Sequence, residues 1–191
     1  MPLSAAAIVE AAHRLLLDYG LQDVSMRRLA GELDVRPGAL YYHVPSKQQL
    51  LADVAHRILA PLADPPGTVG VEELMRRFRA TVLPIRDGAD LMLIAFGLNP
   101  GLPPVPALRR GLERLGLASD QAHERAQIVM HFALGAVAAE QNAALLHPTP
   151  ETPDRETTGP EATGPEATGP ETTGGAALYD EGLRLLMPTA D

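Results

Sequence analysis

The sequence predicts an all-α protein: an N-terminal three-helix helix-turn-helix unit linked by a fourth helix to a C-terminal helical region. Three observations carry this. Apolar residues recur at helical spacing through most of the chain, as Ile8, Ala12, Leu15, Leu16 and Tyr19 do near its start. Serines that cap helices precede such runs at Ser4, Ser25, Ser46 and Ser119. Aromatics are few and Trp is absent, so Leu, Ala and Val must fill the core, which suits packed helices better than stacked strands.

The elements follow in order. Ser4 caps a helix running to about Asp18, and Gly20 stands where a left-handed stop is expected. Ser25 caps a second helix over 26–33, with Met26, Leu29, Ala30 and Leu33 on one face. Asp34-Val35-Arg36 is a tight turn. Pro37 suits the first position of a third helix, over 37–43, because it has no amide hydrogen to lose there. Val44-Pro45 ends that helix, and Ser46-Lys47-Gln48-Gln49 is a capping box opening a fourth, to about Ala60. Asp64-Pro65-Pro66-Gly67 marks a domain boundary, giving units 1–63 and 64–191. Further helices are expected over 71–83, 91–98, 105–115, 120–146 and 176–187. Between them, residues 148–175 repeat Thr-Gly-Pro-Glu-Ala with period five and hold no large apolar side chain. Such a segment cannot bury enough surface to offset its ordering entropy and reads as a disordered internal loop.

Composition excludes several classes. Without Cys there is no disulfide, thiolate zinc site or Cys nucleophile. The N-terminus has no basic segment followed by an apolar core, and the apolar stretch 126–146 contains His131, Glu140, Gln141 and Asn142, so neither a signal peptide nor a membrane span is expected, and the cytoplasm is the default location. The net charge of −8 opposes a nucleic-acid partner only until it is mapped. Residues 1–63 balance Arg14, Arg27, Arg28, Arg36, Lys47 and Arg57 against Glu10, Asp18, Asp23, Glu32, Asp34 and Asp53, so the acidic excess lies downstream.

Residues 25–44 combine a capped helix, a short turn and a second short helix. The first carries Arg27 and Arg28. The second presents Arg36, Tyr41, Tyr42 and His43, with Lys47 just beyond. A helix of this size fits the major groove, with Gly38 and Ala39 leaving room for close approach. The alternative is an ordinary helical hairpin with surface charge. His43 reads equally as a phosphate contact or a helix-end residue, and Leu40 and Val44 are core. Lys47 at a helix start is a poor dipole partner, which favours an external partner such as phosphate.

Residues 7–51 resemble the DNA-binding domain of the tetracycline-repressor (TetR) family along their whole length. The resemblance rests on Gly20, on Val24-Ser25-Met26-Arg27-Arg28-Leu29-Ala30, on Leu40-Tyr41-Tyr42-His43-Val44, and on Ser46-Lys47 with Leu50-Leu51. It implies that Ser25, Tyr42 and Lys47 hold phosphates. It places Arg27, Arg36, Pro37, Gly38, Ala39, Tyr41 and His43 near bases or backbone of double-stranded DNA. Asp34 stands where the family usually has Gly, a turn that Asp can still make.

Downstream, Arg86-Asp87-Gly88-Ala89 and His131-Phe132-Ala133-Leu134-Gly135 resemble segments of the tetracycline repressors. In those, the drug is held as a magnesium chelate. Here Met92 falls at the metal-ligand His, Ala95 and Leu74 at neighbouring contacts, Ala63 at a drug-contacting His, and Ala139, beside Glu140, at the assisting acid. Phe78 alone is kept. Magnesium prefers oxygen ligands in octahedral geometry and Met92 supplies none, so no metal or cofactor is expected. The residual expectation is a mostly apolar effector pocket of Phe78, Met92, Ala95, Phe96, Met130, His131 and Leu134, each of which equally reads as core. The Ala- and Gly-rich helix 120–146 and helix 176–187 imply a homodimer on a palindromic operator. Three readings stand: a ligand-released repressor, a regulator without a small-molecule ligand, and an enzyme. No G-x-S-x-G, H-E-x-x-H, P-loop or dinucleotide fingerprint supports the last.

Overall fold

The computed structural model describes residues 3–65, 69–146 and 173–188. Among these the chain is helical throughout, with no strand: α1 (Ala5–Tyr19), α2 (Met26–Glu32), α3 (Pro37–His43), α4 (Lys47–Leu59), α5 (Val71–Val82), α6 (Gly88–Leu98), α7 (Val105–Arg114), α8 (Ser119–Leu146) and α9 (Thr173–Leu186). Single 3-10 turns follow α1 and α4.

Local chemistry sets the first four helices. Ser4 and Ser25 each accept a hydrogen bond from the amide three residues on, at 3.2 Å. Gly20 stops α1 at φ 86°. Asp34 takes the left-handed region at φ 51°, and the Val35 amide returns to the Ala30 carbonyl at 2.9 Å. That is how Asp replaces Gly in the turn. Pro37 begins α3. Only half of the expected capping box forms at α4. The Gln49 amide donates to Ser46 Oγ at 3.0 Å, but the Gln49 side chain turns forward to Asp53 at 2.9 Å instead of back to the cap.

Helices α1–α4 close around Ile8, Leu16, Leu29, Leu40 and Leu50, all fully buried. The C-terminal helices continue the same hydrophobic core through Met75, Phe78, Leu91, Met92, Leu108 and Leu134. The most extensive helix contact is α4 against α6, which joins the two halves. Helix α8 packs on α7, α6 and α9. By length and composition alone it is long and apolar enough to cross a membrane, yet Ala122, Ala126, Val129, Met130, Ala133, Leu134 and Val137 form a face buried in the core.

Two helices begin three residues earlier than the sequence predicts. Asp87 adopts φ 56° and launches α6 directly at Gly88. A Cβ on Gly88 would lie 2.6 Å from the Val82 carbonyl oxygen, so the α5–α6 corner closes only on glycine. Helix α9 starts at Thr173, within the segment expected to be disordered. The rest of that expectation, and part of the proposed linker at 64–67, lies outside the described residues.

Specific contacts join α5, α8 and α9. Tyr179 is buried and its hydroxyl donates to the Met75 carbonyl at 2.9 Å; burial pushes its pKa well above the usual phenol value. Arg79 bonds Glu140 on α8 through both its Nε, at 2.9 Å, and its terminal nitrogen. Phe132 seats on Gly182, where a Cβ would fall 2.1 Å from the ring.

Candidate nucleic-acid interface

Helices α2 and α3 bring most of the predicted DNA-contacting residues to the surface. Arg27, Arg36, Pro37, Gly38, Tyr41 and Tyr42 are exposed, while Ser25, Arg28, Ala39, His43 and Lys47 are half-buried. Tyr42 is the extreme case at 89% exposure. An aromatic ring held this far out gains nothing from the core, so its position suits a partner outside the chain. Its edge meets the His43 ring at a centroid distance of 5.4 Å. Leu40 and Val44, on the opposite side of α3, are buried at 0% and 1% and anchor the helix. No atom lies within 4 Å of the position a Gly38 Cβ would take, leaving that part of α3 open to close approach.

The charges on this face are of two kinds. Arg27, Arg36 and Lys47 have no ion-pair partner among the described residues. They are free to meet phosphate. Arg28 is placed differently from the sequence expectation. Its guanidinium lies over the Tyr19 ring, 3.9 Å from the centroid, and pairs with Asp23. It is therefore engaged within the domain.

Sequence reasoning missed a contact behind this face. The Leu21 amide donates to Asp87 Oδ2 at 2.9 Å, tying the turn after α1 to the turn before α6. The Asp87-Gly88 pair signals a turn, but nothing in it names a partner 66 residues away. Gln141 of α8 was missed too. Its Nε2 donates to the carbonyls of Leu83 and Ile85 at 3.0 and 2.8 Å. Its Oε1 accepts from the Ala89 amide at 2.9 Å.

The residues expected to line an effector pocket lie mostly in the core. Phe78, Met92, Ala95, Phe96, Met130 and Leu134 are buried in the core, at 8% exposure or less. His131 points outward instead. It is exposed, its Nδ1 lies 2.7 Å from the Gln127 carbonyl oxygen, and its ring stands edge-on to Phe96. Two clefts are present elsewhere. One of about 720 Å³ lies between the α5–α6 turn, the C-terminal half of α8, and α9, with Pro84, Gln141 and Leu178 in its wall. The other, of about 500 Å³, lies between Asp64, Val69 and Leu74 and the α7 residues Arg110 and Arg114. No cluster of three or more His or acidic side chains suited to a metal ion occurs among the described residues.

A short helix with an outward tyrosine, flanked by the unpaired cations Arg27, Arg36 and Lys47 and set on a capped second helix, defines a helix-turn-helix DNA-binding regulator. The family profile for bacterial regulatory proteins of the tetR family matches residues 8–54. The chain is 32% identical over 146 residues to the class E tetracycline repressor protein of Escherichia coli, covering 73% of this chain and 69% of that protein. The chain belongs to the tetR family. Among solved structures, BioQ with its natural double-stranded DNA operator is 33% identical, with a TM-score of 0.68 over 76% of this chain and 90% of that one. ActR of Streptomyces coelicolor, in complex with (S)-DNPA, is 26% identical, with a TM-score of 0.66 over 78% and 81% of the two chains.

Proposed function

We propose that the protein is a homodimeric transcriptional repressor of a palindromic operator, acting in the cytoplasm by binding and not by catalysis. Residues 1–63 form the DNA-binding unit and 64–191 the regulatory and dimerising unit. The carrying observation is that Arg27, Arg36 and Lys47, in or flanking α2 and α3, have no ion-pair partner among the described residues while Tyr42 projects at 89% exposure. In this reading Ser25, Tyr42 and Lys47 hold phosphates and fix the register. Arg27, Arg36, Tyr41 and His43, with the low-relief Pro37-Gly38-Ala39 surface, approach the bases.

The dimer reading draws on apolar side chains left in water. Leu178 and Leu185 stand seven residues apart on α9 at 72% and 77% exposure, and Leu145 and Leu146 end α8 at 72% and 76%. Gly135 and Ala139 are also exposed along α8 and allow a close helix approach. A two-fold axis through α8 and α9 would set two copies of α3 on one face of the duplex.

The effector in this reading is a mostly apolar small molecule, and not tetracycline–magnesium, because Met92 at the metal-ligand position supplies no ligand suited to magnesium and Ala95 and Leu74 stand at the neighbouring contacts. It acts only through unequal affinity for the DNA-bound and free conformations. A regulator without a small-molecule ligand is the second reading. It is favoured by one observation: the residues expected to line the pocket are packed into the core.

The test is a salt titration of binding to duplex DNA by the full chain. Affinity should fall steeply as salt rises, and Lys47→Ala, which removes one phosphate contact from each subunit of the dimer, should reduce the log–log slope by about 1.8. Salt-independent binding, or an unchanged slope in Lys47→Ala, would overturn the phosphate assignment. A thermal-shift screen in which no compound stabilises the protein would favour the second reading.

A further inference from the structure

We infer that Arg28 is a positioning residue of the DNA-binding face and not a DNA contact, with Tyr19 and Asp23 as its seat. This rests on the reading that α2 and α3 face DNA, and it concerns how that face is held.

The geometry is a three-element clamp. Tyr19 is the last residue of α1, Asp23 ends the 3-10 turn, and Arg28 lies in α2. One guanidinium therefore spans the whole connection between the first two helices. It covers the Tyr19 ring at 3.9 Å and pairs with the Asp23 carboxylate. Its backbone joins in, since the Arg28 amide donates to the Ser25 Oγ that caps α2. The half-exposed ion pair alone would contribute little. The ring adds a fixed platform, and a guanidinium stacks on one more readily than an ammonium does.

Two consequences reach the DNA. The clamp fixes how α2 leaves the turn, and so where Ser25 and the exposed Arg27 point. It also neutralises Asp23, which sits two residues before Ser25 and would otherwise face the phosphates as a bare carboxylate. An Arg28 drawn off to a phosphate would lose both partners at once. The neighbouring Arg27 has no such seat, so two adjacent arginines divide the work: one reaches out and the other holds the helix.

The experiment compares salt titrations on operator duplex for the full chain and four variants, at a temperature where thermal unfolding shows each one folded. The charge-balanced pair Asp23→Asn with Arg28→Ala, and separately Tyr19→Leu, should each weaken binding about fivefold with the slope unchanged. Tyr19→Phe should bind like the unsubstituted chain, because the ring and not the hydroxyl is used. Lys47→Ala, the comparator, should lose about 1.8 of slope, one phosphate contact in each subunit of the dimer. A slope loss in the Asp23/Arg28 pair equal to that of Lys47→Ala would overturn the inference, and so would undiminished binding by Tyr19→Leu. Failure of the parent reading looks different: the unsubstituted chain would itself bind without salt dependence.

Discussion

Asp87 Oδ2 accepts the Leu21 amide at 2.9 Å and so joins the α5–α6 turn to the turn that follows α1. The contact is tight on both sides. A Cβ at Gly20, which sits at φ 86°, would lie 2.8 Å from the same carboxylate oxygen. The DNA-binding helices are thus held along α4 against α6 and, among further contacts, at this side chain.

Removing the carboxylate should cost more than its one hydrogen bond. Asp87→Ala leaves the part-buried Leu21 amide without its acceptor and places Ala at φ 56°. The expected loss is about 2 kcal/mol. Asp87→Asn keeps an acceptor and tolerates the left-handed region, so it should lose well under half of that. Chemical denaturation of the two variants checks the order.

Gln141 closes the same corner from the other side. Its amide nitrogen donates to carbonyls of the α5–α6 turn and its oxygen takes the first free amide of α6. Gln141→Leu should destabilise by about 2 kcal/mol, because several part-buried backbone groups lose their partner together. Amide exchange at Ala89 should quicken more than at residues of α2, which reports a local opening.

Gly182 is a packing requirement and not a hinge. Gly182→Ala drives a methyl into the Phe132 ring, and α9 must shift away from α8. A loss of about 1–3 kcal/mol is expected, with Tyr179 fluorescence reporting the displaced helix. Gly135→Ala meets open space within one chain and should leave monomer packing intact. In the proposed dimer it would weaken self-association instead, which analytical ultracentrifugation separates from unfolding.

His13 gives the fold an acid-side weakness. Burial lowers its pKa, Arg57 lowers it further, and Glu10 only partly opposes them. The neutral form is the one the fold prefers, so the unfolded chain takes up a proton first. Stability should therefore fall as pH drops below about 6.5 and level off once pH passes the lower folded value. His13→Gln should flatten that part of the melting-temperature profile. An identical profile for both proteins would contradict the assignment.

The helix-turn-helix was legible because its signals are local. Ser25, Asp34, Pro37 and Ser46 each act within four residues, and the structure puts each to the expected use. The α6 start was not legible, since it depends on the Val82 carbonyl lying where a Gly88 Cβ would go. Gln141 was invisible for the same reason: its partners lie 52 to 58 residues back. Arg28 looked identical to Arg27 in sequence, and only the fold brings Tyr19 beneath it. Most of the residues expected to line a pocket are buried, and residue type alone does not distinguish a lined cavity from a filled one.

Selection of bound duplexes from a random pool by the full chain tests the central claim most directly. The account predicts enrichment of an inverted repeat whose half-sites lie about one helical turn, or a multiple, apart, and loss of that enrichment when Tyr42 and Lys47 are both changed to Ala. Recovery of no common sequence, or of a repeat that both substitutions leave untouched, would contradict it.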